Sequence, residues 1–147
     1  MITVLLVDDH AYIRRGIRSL LETTGDIEVV ATAANGIDAI MKARSLRPDI
    51  VIIDISMPFI DGVEATKQIR MDCPDARILT LSLYDNPEYV RQSLEAGAQG
   101  YVLKEKAASE LPDAIRSLYN GNHYFSEKIA RMVKPHSSEG DDDSWAA

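Results

Sequence analysis

The chain has 147 residues, with 16 Lys plus Arg against 23 Asp plus Glu and a formal net charge of −7. That length suits one domain, which buries roughly 68–70% of its unfolded surface and so holds a full core without staples. The acidic balance argues against a nucleic-acid-binding surface, one cysteine (Cys73) excludes an intramolecular disulfide, and no apolar run approaches the ~18–20 residues of a membrane span.

Ile2–Val7 is a short β-branched run and reads as the first strand. It follows Met1 without the charged region of a secretory leader, so a cytoplasmic, reducing location is expected. Ile13, Ile17, Leu20 and Leu21 then recur at helical spacing, and Gly25 stands where a left-handed cap ends a helix. Glu28–Ala33 reads as a second strand, and Ile37, Ile40 and Met41 begin a second helix. Asp49–Asp54 is the third strand candidate. Its Ile50–Ile53 stretch is apolar without alternation, as a strand buried on both faces requires. Val63, Thr66 and Ile69 mark a third helix, Arg77–Ser82 a fourth strand, Val90 and Leu94 a fourth helix ended by Gly97, and Gly100–Leu103 a fifth strand. Leu111, Ala114, Ile115 and Leu118 mark a fifth helix before Gly121. Pro112 lies inside that pattern. Proline is cheap only in the first turn, so the helix is predicted to start at Ser109 as N-cap, with Pro112 at its third position. Ser126 is predicted to cap a short sixth helix over Glu127–Val133. The end, SSEGDDDSWAA from Ser137, holds four acids and no base; it is expected to be disordered, with Trp145 packed on nothing.

Five strands alternating with five helices predict an α/β fold: a doubly wound, five-stranded parallel sheet with helices on both faces. In such a sheet, ligands bind at the carboxyl ends of the strands. The first strand ends in Asp8 and Asp9, the third in Asp54, the fourth in Ser82 and the fifth in Lys104. Taken singly these are ordinary residues: Asp8, Asp9 or Asp54 serves as a cap or turn residue, Ser82 as a loop hydroxyl, Lys104 as a solvated lysine. Their convergence on one rim is the signal. Clustered carboxylates need a compensating cation, and a hard divalent ion with oxygen ligands supplies it. A carboxylate beside such an ion, a lysine and a hydroxyl has the parts for phosphoryl transfer, with the carboxylate as nucleophile.

The stretches LLVDDH, VIIDISMPFIDG, ILTLS and GAQGYVLKEKAASEL carry a resemblance, over roughly Ile2 to Asn120 and so most of the chain, to the receiver domain of bacterial two-component response regulators. The wording after Gly97, with NGNHYFSEKIARMV, resembles the NarL/FixJ (LuxR-type) regulators, in which a linker and a helix-turn-helix domain follow. The resemblance implies the flavodoxin-like, CheY-like strand order 2-1-3-4-5. It implies a receiver over 1–121, a linker with a short helix over 122–134 and a tail over 135–147. It implies Asp54 as phosphoacceptor; Mg²⁺ (or Mn²⁺) held by Asp9, Asp54 and the backbone carbonyl of Ser56, with Asp8 acting through water; Lys104 and Ser82 on the phosphoryl group; and Tyr101 as a switch that fills the space Ser82 vacates. Met57 and Pro58, with Asp61 and Gly62, would shape the loop after Asp54, and Ser56 and Tyr84 would tune phosphoryl lifetime. The implied partners are a sensor histidine kinase and, after phosphorylation, a second protomer. DNA would be reached only through a C-terminal domain, and no membrane is involved. No helix-turn-helix follows here, so a fragment of a longer regulator and a short protein with an acidic tail both stay open.

Two other functions compete. An aspartyl-phosphate phosphohydrolase usually carries a second acid two residues after its nucleophile, where this chain has Ser56. A phosphorylation-independent interaction domain has no need of the acidic pair, Asp54 and Lys104 together. His10, His123 and His136 are too scattered for a metal cluster, and His10, although beside the acidic pair, is expected to play a surface role. Arg14, Arg15 and Arg18 form either a solvated face or a docking surface for a kinase or second protomer. Neither GxxxxGK nor GxGxxG occurs, so nucleotide binding has no support.

Overall fold

The structure is a computed structural model and describes residues 1–57 and 60–136. Pro58 and the acidic tail from Ser137, Trp145 included, lie outside the described residues. The elements are β1 (Ile2–Val7), α1 (Ala11–Glu22), β2 (Ile27–Ala33), α2 (Gly36–Leu46), β3 (Ile50–Asp54), α3 (Gly62–Asp72), β4 (Arg77–Ser82), α4 (Pro87–Ala96), β5 (Gly100–Leu103), α5 (Ala107–Tyr119), β6 (Tyr124–Phe125) and α6 (Glu127–His136). A 3-10 turn over Lys104–Lys106 joins β5 to α5.

The strands form one parallel sheet in the order β2-β1-β3-β4-β5-β6. The strand order 2-1-3-4-5 holds, and β6 adds a sixth strand that periodicity did not predict. Alternation along the strands splits the core between the faces. Val4, Leu6, Ile50, Ile52, Leu79 and Leu81 pack with Ile17 and Leu21 of α1 and Leu111, Ile115 and Leu118 of α5. Leu5, Val7, Val51 and Ile53 pack with Ala39 and Ala43 of α2 and Ala65 and Ile69 of α3. Every residue of β3 is buried, as its unalternating sequence requires.

Register sets the functional rim. Val7 stands opposite Ile53, Asp54 opposite Leu81 and Ser82 opposite Leu103, so these strand ends lie at one level. Two helices after the rim, α2 and α3, are capped by short polar side chains: Asn35 accepts from Asp38 N–H at 2.8 Å and Asp61 from Glu64 N–H at 2.9 Å. Gly62 opens α3 directly against the end of β3. A Cβ there would collide with the Asp54 carbonyl oxygen, so only glycine lets the helix close over the strand.

The fifth helix departs from its predicted start. It begins at Ala107, continuing the 3-10 turn, so Ser109 lies in its first turn and is not its N-cap. The Ser109 hydroxyl donates to the Lys106 carbonyl at 3.2 Å. Pro112 consequently sits at the sixth helical position. It is tolerated because the carbonyl it fails to reach belongs to Ala108, which is exposed and accessible to water.

The C-terminal segment packs on the sheet. Ile129 and Val133 of α6 join Val90 and Leu94 of α4 and Tyr101 and Leu103 of β5 in a third core cluster. Ser126 does not use its side chain to cap α6. Its buried hydroxyl accepts from Leu103 N–H at 3.1 Å and donates to a Glu110 carboxylate oxygen at 2.6 Å, tying β6, β5 and α5 together. Among the described residues, no helix is long and apolar enough to cross a membrane.

Candidate functional site

Asp8 follows β1 and is fully buried, and Asp54, the last residue of β3, is 3% exposed. Lys104 leaves β5 and turns its ammonium between them. Nζ lies 2.9 Å from Asp8 Oδ2 and 3.1 Å from Asp54 Oδ2. The contact with Asp54 is an aligned hydrogen bond. The contact with Asp8 is an ion contact without donor alignment, which leaves Asp8 Oδ2 buried with no hydrogen-bond partner. Asp54 Oδ1 accepts from the Ser56 backbone N–H at 3.1 Å. Ser56 thus orients the carboxylate through its main chain.

Burial raises the Asp54 pKa above the ordinary carboxylate range, and the nearby Asp8 charge adds to this; the Ser56 N–H and Lys104 work against it. Burial also works against the Lys104 charge. The two carboxylates outweigh it, so the Lys104 pKa is raised and the ammonium is firmly charged.

Asp9 and His10 complete the rim. The His10 backbone N–H donates to Asp8 Oδ1 at 2.9 Å, and its ring Nδ1 lies 3.1 Å from both Asp8 Oδ1 and Asp9 Oδ1. One ligand atom from each of Asp8, Asp9, His10 and Asp54 can be chosen so that all lie within 4.8 Å of one another. Three carboxylates around one ammonium leave the cluster negative, and one buried oxygen lacks a donor. The residues therefore fit a divalent cation. The sequence reading placed His10 in a surface role. The ring is indeed half-exposed, yet it turns onto both carboxylates, a geometry that adjacency in sequence does not reveal.

Ser82 is buried at the end of β4, and its hydroxyl accepts from Tyr84 N–H at 2.9 Å. Tyr101 is fully buried, and its hydroxyl donates to the Tyr84 carbonyl at 2.7 Å. Burial pushes the Tyr101 pKa up to about 12. The ring lies inside, packed with Val90, Leu94, Ile129 and Val133, with its hydroxyl satisfied by the backbone. On the other side of the rim, Arg14 donates to the Asp8 carbonyl at 2.6 Å, so one of the three α1 arginines braces the site.

Residues 4–116 match the family model of the response regulator receiver domain. The chain belongs to that family. It is 42% identical over 128 residues to the response regulator protein VraR of Staphylococcus epidermidis strain RP62A, covering 87% of this chain and 61% of VraR. VraR of Staphylococcus aureus strain NCTC 8325 matches over the same span with the same identity. This receiver thus spans 61% of the length of these curated relatives. Among solved structures, a two-component response regulator of the LuxR family from Aurantimonas sp. SI85-9A1 superimposes with a TM-score of 0.87 at 36% identity, covering 92% of this chain and 97% of that one. The isolated receiver domain of RcsB from Salmonella enterica serovar Typhimurium, in the presence of phosphomimetic BeF3-, gives a TM-score of 0.82 at 30% identity, with 89% and 97% covered. The relatives of this receiver are regulators of the LuxR type.

Proposed function

We propose that this receiver takes a phosphoryl group from the phosphohistidine of a sensor histidine kinase onto Asp54 and, once phosphorylated, changes its self-association. The observation that carries the reading is the Lys104 ammonium bridging buried Asp8 and Asp54, at 2.9 and 3.1 Å, at the carboxyl end of a parallel sheet. An Asp54 oxygen forms the bond to phosphorus while the phosphorus–nitrogen bond breaks and its electron pair returns to the donor imidazole. Lys104 keeps Asp54 ionised before transfer and is placed to follow the phosphoryl oxygens after it. The Ser56 N–H fixes the attacking carboxylate in one orientation. Asp9, Asp54 and the Ser56 carbonyl, with Asp8 through water, would hold Mg²⁺ or Mn²⁺, which would supply positive charge to the transferring group.

The phosphoryl group adds about −1.5 to −2 charge and three strong acceptors. Those acceptors compete for the Ser82 hydroxyl, which accepts from the Tyr84 N–H. Drawing Ser82 toward them disturbs the Tyr84 backbone, whose carbonyl holds the Tyr101 hydroxyl, and the α4–β5–α6 surface around that ring is then free to shift. A coupling of ~1–3 kcal/mol is the expected size. The receiver spans 1–121, with 122–134 as the linker that delivers the switch to a transcription-regulating domain in the full cytoplasmic regulator. Its reactions are confined to its own phosphorylation and slow dephosphorylation, and it does not itself touch DNA.

The test is intact mass after incubation with acetyl phosphate and Mg²⁺, for wild type and Asp54→Asn, with size-exclusion chromatography in parallel. One added phosphoryl group that is lost in the variant, with a shift in elution, is expected. Equal uptake by the variant would remove Asp54 from its role.

A further inference from the structure

We propose that His10 is a nitrogen ligand of the divalent-cation site, making this receiver discriminate in favour of borderline transition-metal ions such as Co²⁺ relative to an oxygen-only site. The inference rests on the cation site of the proposed function and deepens it.

The first observation is the ring's position. Nδ1 lies 3.1 Å from Asp8 Oδ1 and 3.1 Å from Asp9 Oδ1. In an octahedral ion, adjacent ligand atoms are separated by the bond length times the square root of two. A separation of 3.1 Å therefore corresponds to bonds of about 2.2 Å, within the range of a small divalent ion. Nδ1 thus stands at neighbouring-ligand spacing from Asp9 Oδ1, the carboxylate that would hold the ion directly, and equally near Asp8 Oδ1.

The second observation is the commitment of the other groups. His10 is the N-cap residue of α1, in extended conformation with φ −101° and ψ 114°, and its side chain makes no cap hydrogen bond. The backbone N–H anchors it to Asp8 Oδ1, and the ring meets Tyr12 edge-on with centroids 5.8 Å apart. The ring is thus aimed at the carboxylates from two sides. Lys104 engages Asp8 Oδ2 and Asp54 Oδ2, which leaves Asp8 Oδ1 and Asp9 Oδ1 facing the imidazole. Asp8 is fully buried, and three carboxylates around one ammonium leave the cluster with net negative charge beside the ring.

Chemistry turns this geometry into selectivity. Carboxylate, carbonyl and water oxygens suit Mg²⁺, whereas imidazole nitrogen suits the later first-row ions. A site that adds one imidazole gains more for Co²⁺ than for Mg²⁺.

The test titrates Co²⁺ and Mg²⁺ alone into the full chain by calorimetry, at one pH and with no phosphodonor. It compares wild type, His10→Asn and Asp9→Asn, and records the visible spectrum of bound Co²⁺. Asparagine is a favoured N-cap residue and offers an oxygen, so His10→Asn retains the fold, verified by its thermal midpoint in the absence of metal. The expected result is a loss of Co²⁺ affinity at least about tenfold greater than the loss of Mg²⁺ affinity, with a changed Co²⁺ spectrum. Equal losses for both ions, or no loss for Co²⁺, would overturn the proposal. So would a Co²⁺ affinity unchanged by Asp9→Asn, because the ion would then sit elsewhere. Metal binding is read without phosphorylation, so failure of Asp54 as phosphoacceptor and failure of His10 as ligand give separate results.

Discussion

Replacing Lys104 by alanine is expected to destabilise the fold in a manner governed by charge. Its ammonium is one positive charge set between two buried carboxylates, Asp8 and Asp54, at 2.9 and 3.1 Å. The wild-type trio carries −1, and the variant leaves −2 with no internal compensation. Removing one member of a buried ion pair costs roughly 3–5 kcal/mol. The half-exposed His10 ring shows that water reaches this rim, so the lower end, about 3 kcal/mol, is expected. That is a large fraction of the ~5–15 kcal/mol available to a domain. The pH dependence has a definite sign. Asp54 already has a raised pKa, mainly through burial, and losing Lys104 raises it further. A carboxyl group whose folded pKa lies above its unfolded value favours folding when protonated, and that contribution is lost as pH rises through the folded pKa. The deficit of the variant relative to wild type should therefore shrink from pH 7 to pH 5. The assay is urea unfolding followed by circular dichroism, in EDTA, at both pH values. Adding Asp54→Asn to Lys104→Ala should recover about 2 kcal/mol at pH 7, since one buried charge is then gone. A deficit below about 1 kcal/mol, or one indifferent to both pH and Asp54→Asn, would refute the electrostatic account.

Other expectations follow from single contacts. Asp54→Asn alone should raise the thermal midpoint at pH 7 in EDTA, because it removes a carboxylate that burial disfavours; scanning calorimetry shows the direction, and Mg²⁺ should stabilise the variant less than wild type. Gly62→Ala should cost more than about 3 kcal/mol or abolish folding, since the new methyl meets the Asp54 backbone and not a movable side chain; soluble yield and urea midpoint report it. Ser126→Ala should cost about 1–3 kcal/mol by leaving the buried Leu103 N–H without its acceptor, and should speed hydrogen exchange at Leu103. The Asp26 carboxyl is held down at about 2, chiefly by its hydrogen bond from Arg116. Its contribution should be present above the ordinary aspartate pKa and vanish as pH falls toward 2, and Arg116→Gln should remove this acid-limb dependence in pH-jump unfolding.

The fold was legible where one period rules a whole element. β1, β4 and β5 have the ends that the apolar runs predict. β3 starts one residue late, at Ile50, because the Asp49 carboxylate turns to Thr3, accepting from its N–H at 2.9 Å and its hydroxyl at 3.0 Å. β6 was not legible. Two residues carry no period, and Tyr124 and Phe125 become a strand only because Gly100 and Tyr101 offer a free edge. The start of α5 was misplaced because Pro112 was read locally. The helix is nucleated instead by the 3-10 turn that begins at Lys104, and the site itself fixes that residue in place.

The same division runs through the candidate site. The rule that ligands gather at the carboxyl ends of parallel strands needs only strand order and strand ends, so Asp8, Asp54, Ser82 and Lys104 could be named from sequence. Directions of side chains could not. The place of the Tyr101 ring depends on Val90, Leu94, Ile129 and Val133, from two helices, α6 being distant in sequence. Tyr101 lies inside, where α6 covers it and the Tyr84 carbonyl satisfies its hydroxyl. The hydrogen bonds of Ser82 with the Tyr84 N–H and of Tyr101 with the Tyr84 carbonyl join the rim to the core cluster shared by α4 and α6. Changes at Ile129 or Val133 should therefore alter the switch as strongly as changes at Ser82.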